Sequence, residues 1–254
     1  MNQPYLSVIV PAFNEVFNFK KGRIDNLYAY LRRQKYSFEL IFVDDGSTDN
    51  TTGILADFIK NKPEATLIKA IHRGKGSTVV TGLLAAKGQN ALFTDFDQAT
   101  PIAEVEKLLP FIDRGYDVVI GSREVEGAKR EKEPLYRHIM GKGFNLVVKI
   151  FIIRGISDTQ CGFKLLTANA VAAIVPKLVI TRTDRPRHDA FTGAFDVEIL
   201  FIARELGLRI AEVPVSWQHF ATTRVSPIKD SVRMIMEVIR IRAAYLLGSY
   251  TRVK

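Results

Sequence analysis

Residues 40–51 read LIFVDDGSTDNT, an apolar run followed at once by acidic and turn-forming side chains. The run Leu40–Val43 has the composition of a fully buried β-strand, and it ends at Asp44-Asp45-Gly46. A strand that is apolar on both faces is typical of a parallel sheet covered by helices on both sides. This stretch therefore predicts an α/β fold whose polar residues collect where the strands end.

The same arrangement recurs through the first half of the chain. Three more apolar runs end in polar or turn-forming residues, namely Leu6–Val10 before Pro11, Ala91–Thr94 before Asp95, and Val118–Ile120 before Gly121-Ser122-Arg123. Helix-like stretches lie between them, at Arg23–Gln34, Thr51–Lys60, Ser77–Ala86 and Ile102–Arg114. No internal repeat or Gly/Ser linker interrupts the pattern, which predicts one continuous domain. Ligands of such sheets bind beyond the carboxyl ends of the strands.

Composition and charge narrow the class of protein. The chain has 254 residues, is 47% hydrophobic and 25% charged, and has one cysteine, Cys161, which excludes a disulfide framework or a Cys-based zinc site. Residues 1–127 carry a net charge of −1 and residues 128–254 a net charge of +10, so an anionic partner is expected on the C-terminal half. The N-terminus lacks a signal-peptide pattern, and the most apolar segment, Phe144–Ile153, is too short to cross a bilayer.

The strongest local signal is Thr94-Asp95-Phe96-Asp97-Gln98. Two carboxylates one residue apart after a buried strand can both reach Mg²⁺ or Mn²⁺, cations that prefer oxygen ligands and often share them with substrate phosphates. The alternative is that Asp97 caps a helix that begins near Pro101.

Two other loops carry weaker signals. Adjacent Asp44 and Asp45 would repel each other without a ligand or a donor, although a strand-end turn and helix cap explains the residues that follow. The segment Arg73-Gly74-Lys75-Gly76-Ser77 lacks the spacing of a P-loop, which excludes an ATPase or kinase of that type, but its glycines allow a nucleotide to approach closely.

Taken together, the loops match a known family. The order SVIVPAFNE, VDDGSTDNT, RGKGST, DFDQAT and GSR resembles family 2 glycosyltransferases, which have the GT-A fold, a Rossmann-like and mostly parallel sheet flanked by helices. In the C-terminal half, GISDTQCGFK at 155–164, FDVE at 195–198 and VPVSW at 213–217 resemble dolichyl-phosphate β-glucosyltransferases and their polyprenyl-phosphate relatives.

The resemblance implies roles for individual residues. The nucleotide sugar would contact Pro11, Ala12, Asn14, Glu15, Asp44, Gly76, Asp95 and Phe96. Asp95 and Asp97 would hold Mg²⁺ or Mn²⁺, with Asp97 the more direct ligand and a participant in catalysis.

The acceptor side follows from the same resemblance. A phosphate monoester is already an anionic nucleophile and needs positive charge to hold it in line, a role implied for Arg123, Arg137 and Arg224. The alternatives to a contact with the acceptor phosphate are a structural ion pair for Arg123 and a place on a solvated helix face for Arg137. Asp196 lies where relatives that act on hydroxyl acceptors keep an acidic base, and its alternative is a helix N-cap.

Two segments bear on the surroundings of the site. The segment 179–194 is longer than expected for the family and is a lid, an acceptor loop or a solvated insertion. It contains Arg182, Arg185, Arg187 and His188. The basic amphipathic stretches Leu135–Ile153 and Lys229–Leu247 favour an anionic membrane surface, or else pack on the sheet. In the second stretch, Val232, Ile235, Ile239 and Tyr245 or Leu246 are expected on one face.

The sequence thus predicts a GT-A domain at residues 1–226 and a C-terminal amphipathic segment at 227–254. The expected activity is inverting transfer of a hexose, glucose first, from a UDP-sugar to a polyprenyl or dolichyl phosphate. The expected location is the cytoplasmic face of a membrane, by peripheral contact or through a membrane-protein partner. The alternatives are transfer to a saccharide hydroxyl with Asp196 as base, and a non-catalytic module that binds nucleotide sugar or nucleic acid. No base-reading pattern favours a specific nucleic acid.

Overall fold

The computed structural model describes residues 3–131, 143, 148, 155–181, 193–220 and 227–250. Its strands are β1 (Leu6–Ala12), β2 (Phe38–Asp44), β3 (Ala65–Lys69), β4 (Asn90–Thr94), β5 (Val118–Ser122), β6 (Lys129–Arg130), β7 (Phe163–Thr167), β8 (Ile210–Pro214) and β9 (Ser216–Trp217). Its α-helices are α1 (Val16–Lys20), α2 (Arg23–Leu31), α3 (Thr51–Ile59), α4 (Lys75–Ala85), α5 (Val105–Asp113), α6 (Ala168–Ile174), α7 (Phe195–Glu205) and α8 (Pro227–Leu246), with short 3₁₀ turns at Ile102–Glu104 and Val175–Lys177.

Seven strands form the central sheet in the order β3-β2-β1-β4-β7-β5-β8. All neighbouring pairs are parallel except those of β7, which runs antiparallel to both β4 and β5. Strands β6 and β9 form a small parallel pair of their own. The first half therefore builds a parallel unit, and β7 brings the second half into the same sheet.

Each face of the sheet carries its own core, because successive side chains of a strand point to opposite faces. Ile9 and Ile41 belong to the core that packs on α4, α6, α7 and α8. Val8 and Phe42 belong to the other core, which packs on α2, α3 and α5. Burial on both faces explains why the strands read as unbroken apolar runs.

The expected mostly parallel sheet flanked by helices is confirmed, and all four strand predictions coincide with observed strands. The helix predictions coincide with α2, α3, α4 and α5, of which the last is preceded by a 3₁₀ turn. The sequence patterns did not indicate β3, β7 or β8. The division at residue 226 stays a prediction, and α8 packs on the domain by burying Val238 and Ile241.

The predicted apolar face of the C-terminal helix was partly wrong. Val232, Ile239 and Leu246 are exposed, whereas Ile235 and Tyr245 pack against the core. The helix is apolar on two sides, so spacing alone could not separate them. None of the helices in the described part of the chain combines the length and the apolar character needed to cross a membrane.

Candidate active site

The carboxyl ends of β2 and β4 carry the acidic loops that the sequence singled out. Asp95 follows β4 and is joined to Lys75, the first residue of α4, by an ion pair. Gly162, which precedes β7, touches Asp95 from the other side, since a Cβ at residue 162 would lie 2.6 Å from the carboxylate carbon. The residue before the antiparallel strand therefore lies so close to Asp95 that a larger side chain would displace the carboxylate.

Asp97 lies two residues further along the same loop. Its Oδ1 accepts a hydrogen bond of 3.0 Å from the backbone N–H of Ala99, and its carbonyl oxygen accepts one of 2.6 Å from the Arg23 guanidinium. The alternative of a helix cap is wrong, because the 3₁₀ turn begins at Ile102 without a side-chain cap. Burial and the repulsion of Asp95 raise the pKa of Asp97 to about 6.

The loop fits a hard divalent cation. Asp95 and Asp97 offer carboxylate oxygens, and the side-chain oxygen of Gln98 is buried without a hydrogen-bond partner. Gln98 also has a φ of 50°, a left-handed conformation that costs energy for a residue other than glycine. No group of three or more His, Cys, Asp or Glu side chains with metal-ligand geometry occurs among the described residues. A cation here would complete its shell with water or substrate oxygens, as Mg²⁺ commonly does.

The two aspartates at the end of β2, Asp44 and Asp45, accept hydrogen bonds from protein donors, so they do not require a ligand. Asp44 accepts hydrogen bonds from the Ser47 and Thr52 hydroxyls. Asp45 accepts from the backbone N–H groups of Arg73 and Gly74, both at 2.9 Å. The turn in this alternative is observed, whereas α3 begins after Asn50 without a side-chain cap bond. A nucleotide contact of Asp44 stays a prediction.

Asp45 also contacts a stacked pair of rings, those of His72 and Phe13. Its Oδ2 lies 2.8 Å from Nδ1 of His72, and the His72 ring stacks on Phe13 with the ring centroids 4.1 Å apart. Phe13 follows β1 and His72 follows β3, so three strand ends contribute to this corner of the site.

The loop after β1 is tied to the loop after β2. The Asn14 side-chain oxygen accepts the backbone N–H of Thr48 at 2.8 Å, and Asn14 has a φ of 55°. The backbone N–H of Glu15 donates to Thr51 Oγ1 at 2.7 Å, and the Glu15 carboxylate is buried. Ala12 is paired with Asp44 in the register of β1 and β2. The predicted residues Pro11, Ala12, Asn14 and Glu15 therefore lie near Asp44 at the carboxyl ends of these strands.

Two predicted nucleotide contacts are packed against other residues. Gly76 lies against Phe195 and Thr181, because a Cβ at residue 76 would lie 2.7 Å from Phe195 Cβ. Phe96 is buried in the core beneath the acidic loop. Their contact with a nucleotide stays a prediction.

Arg123 forms the ion pair that was its structural alternative. Its Nε and Nη2 donate to Asp158 at 2.7 and 2.9 Å, and its backbone N–H donates to the same carboxylate at 3.0 Å. Burial would raise the pKa of Asp158, but the Arg123 guanidinium outweighs it and holds that pKa at about 2. The guanidinium carbon also lies 5.4 Å from the centre of the Trp217 ring. Arg123 is therefore rigidly oriented, and its contact with an acceptor phosphate stays a prediction.

Asp196 lies in the first turn of α7, whose N-cap is Ala194, so the N-cap alternative is wrong. Its Oδ1 lies 2.5 Å from Nζ of the fully buried Lys164. Burial raises the pKa of Asp196, and the ammonium groups of Lys164 and Lys75 act in the opposite direction.

Several predicted residues lie outside the described ranges. These are Arg137, Arg224, the inserted arginines and His188. The ends of the insertion are described. Glu198 is fully buried and accepts the backbone N–H groups of Val179, Ile180 and Thr181 at 2.7–2.8 Å. Glu237 of α8 accepts that of Ala194 at 2.7 Å.

Sequence reasoning missed Lys75, Lys164, His72 and Arg23 as parts of the site. Lys75 could have been found, because it stands in a loop already noted as a candidate nucleotide contact. The roles of the others depend on partners 27 to 74 residues away, which no local pattern reveals.

Known proteins are similar to this chain in sequence. The chain is 36% identical to dolichyl-phosphate β-glucosyltransferase of Dictyostelium discoideum, over 96% of this chain and 76% of the relative. It is 35% identical to the enzyme of the same name from Saccharomyces cerevisiae, over 97% and 76%, and 34% identical to that of Mus musculus, over 96% and 77%.

Solved structures share the fold. Glucosyl-3-phosphoglycerate synthase from Mycobacterium tuberculosis, in complex with Mn²⁺, UDP and glucosyl-3-phosphoglycerate, superposes with a TM-score of 0.60 at 18% identity, covering 98% of this chain and 80% of that one. Mannosyl-3-phosphoglycerate synthase from Rubrobacter xylanophilus gives 0.65 at 18% identity, covering 99% and 76%. A family model described as glycosyl transferase family 2 matches residues 7–175. The chain is therefore a member of glycosyltransferase family 2, an enzyme with the GT-A fold.

Proposed function

We propose that this enzyme transfers glucose, with inversion, from UDP-glucose to a polyprenyl phosphate of the dolichyl type, with Mg²⁺ or Mn²⁺ at Asp95 and Asp97. The observation that carries the proposal is the similarity to dolichyl-phosphate β-glucosyltransferases of three organisms over 96–97% of the chain. The neighbour solved with Mn²⁺ and UDP supports a divalent cation and a uridine nucleotide.

The described residues suit the two halves of this reaction. A bound cation would supply Lewis-acid stabilisation of the diphosphate leaving group. Asp95 and Asp97 would hold it, and the Lys75 ammonium beside Asp95 would add positive charge on the donor side. On the acceptor side, Arg123 presents a guanidinium whose direction is fixed by Asp158, a geometry suited to orienting an anion. The expected contacts of Arg137 and Arg224 with the same phosphate belong to this proposal.

A transfer assay with competing acceptors tests the proposal. Purified enzyme is incubated with UDP-glucose and Mn²⁺ in the presence of dolichyl phosphate, dolichol or a free saccharide. We expect product from dolichyl phosphate alone, loss of product with chelator, and loss in Asp97→Ala but not in the surface control Asp57→Ala. Transfer to the saccharide without transfer to dolichyl phosphate would refute the acceptor.

We also propose that the enzyme works on a membrane surface, through the outer side of α8. This side and the residue that follows the helix carry apolar side chains that are at least half exposed, namely Val232, Met236, Ile239, Leu246 and Leu247. We call these five residues the outer stripe. The opposite side of the helix is buried against α7, so packing within the domain leaves the outer stripe without a partner among the described residues.

The occupant we propose is an anionic lipid surface. Arg240 and Arg242 are exposed on the same helix, and such basic amphipathic helices lie in the interface of anionic bilayers. The cytoplasmic leaflet carries anionic lipids, which supports attachment to that face. An acceptor anchored in the bilayer would then be presented to the basic C-terminal half.

Vesicle sedimentation tests this attachment. We expect binding to vesicles that contain phosphatidylglycerol, with weaker binding at high salt and a loss of at least tenfold in Met236→Asp. Leu84→Asp, a matched control at an exposed leucine of α4, should bind as the wild type does. Equal binding of the two variants would refute the outer stripe as the contact.

A further inference from the structure

A buried ion pair connects the antiparallel strand to the helix that bears Asp196. Lys164 of β7 is fully buried, and its Nζ lies 2.5 Å from Oδ1 of Asp196. The same ammonium donates to the carbonyl oxygen of Cys161. Removing two charges from water is costly, so a pair this deep is tolerated only where the geometry is good and its hydrogen bonds are made.

The pair is one end of an alternating set of charges. Lys75 is joined to Asp95, and the next residue, Gly76, packs against Phe195, the neighbour of Asp196. The Lys75 ammonium therefore also lies in the field of the Asp196 carboxylate. The order Asp95, Lys75, Asp196, Lys164 therefore alternates acidic and basic side chains from the acidic loop into the core. Asp196 accordingly contacts the ammonium group of Lys164 and lies near that of Lys75.

This placement is poorly suited to a general base. A base needs an available lone pair within hydrogen-bond reach of the proton that it removes. One oxygen of Asp196 is engaged by Lys164, and the carboxylate is almost entirely buried. An acceptor that arrives as a phosphate monoester is largely a dianion above its second pKa of about 6. In that form it has no proton to lose, so it does not need this base.

We infer that the Lys164–Asp196 pair makes Asp196 a positioning residue and adapts the site to an anionic acceptor. Lys164 fixes the carboxylate, and the carboxylate helps to hold the Lys75 ammonium at the donor loop. This inference rests on the proposed function, because it identifies the feature of that site that disfavours neutral hydroxyl acceptors.

A charge-balanced replacement tests the inference. The variants are Lys164→Met, Asp196→Asn and the double variant. The exposed pair of Lys60 and Asp57, changed in the same way, serves as the matched control. Each single change at the buried pair leaves one unmatched charge or polar group, so we expect Tm to fall by roughly 6–20 °C and transfer to dolichyl phosphate to fall with it. In the double variant, Tm should recover and kcat should stay within about tenfold of the wild type with the same pH profile. The KM for UDP-glucose should remain raised, because Lys75 has lost the carboxylate that positions it.

Two results would overturn the inference. One is a double variant that is as stable as the wild type and binds UDP-glucose equally well but transfers no glucose, because the carboxylate itself would then be required. The other is additive Tm changes in the two single variants, which would show that the side chains do not act as a pair. Failure of the wild type to use dolichyl phosphate would instead refute the proposed function, and the Tm cycle would still decide the pairing.

Discussion

Replacing Gly162 by alanine should weaken the metal–nucleotide site while leaving the fold largely intact. A Cβ at residue 162 would lie 2.6 Å from Cγ and Oδ1 of Asp95, whereas ordinary contacts begin at 3.4 Å. The carboxylate must therefore retreat by about 1 Å, and a misplacement of that size at a reacting centre can cost about 100-fold. The atoms that collide are the end of a side chain, so the fold should lose only about 1–3 kcal/mol.

The assay is Mn²⁺ binding in the presence of UDP, followed by calorimetry or by electron paramagnetic resonance, together with Tm. We expect Gly162→Ala to lower the Mn²⁺–UDP affinity at least tenfold. Gly53→Ala is the matched control, since its Cβ would collide only with the exposed side chain of Asn50. Binding by Gly162→Ala that equals the wild type would refute the assignment of Asp95 to the metal.

Three further predictions concern other parts of the site. Asp97→Ala should abolish the increase in Tm that UDP and Mn²⁺ cause together, and a retained increase would remove Asp97 from the metal. The pKa of Asp158 is lowered from 3.8 to about 2, so the pair with Arg123 stabilises the fold above pH 4 and loses that effect as the pH falls towards 2. Acid unfolding of Asp158→Asn should lack this component, and an unchanged pH dependence would contradict the pairing. Burial raises the pKa of the Cys161 thiol to about 11, so a thiol reagent should modify it at pH 8 only upon unfolding. Rapid reaction of the native enzyme would contradict its burial.

Strands β1, β2, β4 and β5 could be predicted because the pattern that specifies each of them is local. Each of these strands is an apolar run that is followed by residues of the candidate site, as at Val43 before Asp44 and Thr94 before Asp95. The candidate cation site after β4 could also be proposed from the sequence, because two carboxylates one residue apart are a pattern that suits a hard cation.

Strand β7 could not be predicted in the same way. Its five residues, Phe163–Thr167, are interrupted by Lys164, a residue that is normally found at the surface. Lys164 is buried only because Asp196 lies opposite it, 32 residues later in the chain. Arg123 shows the same limit, since its partner Asp158 is 35 residues away.

The central claim is that the phosphate of the acceptor attacks the anomeric carbon of glucose with inversion. It is tested most directly by finding which molecule supplies the glycosidic oxygen. Dolichyl phosphate that carries ¹⁸O on its three terminal phosphate oxygens is incubated with UDP-glucose, Mn²⁺ and the enzyme, and the products are analysed by mass spectrometry and NMR. Attack of the acceptor phosphate on the anomeric carbon predicts a β-linked glucosyl phosphate lipid that retains all three labels, together with unlabelled UDP. Glucose attached to any hydroxyl, an α-linked product, or label in the released nucleotide would contradict it.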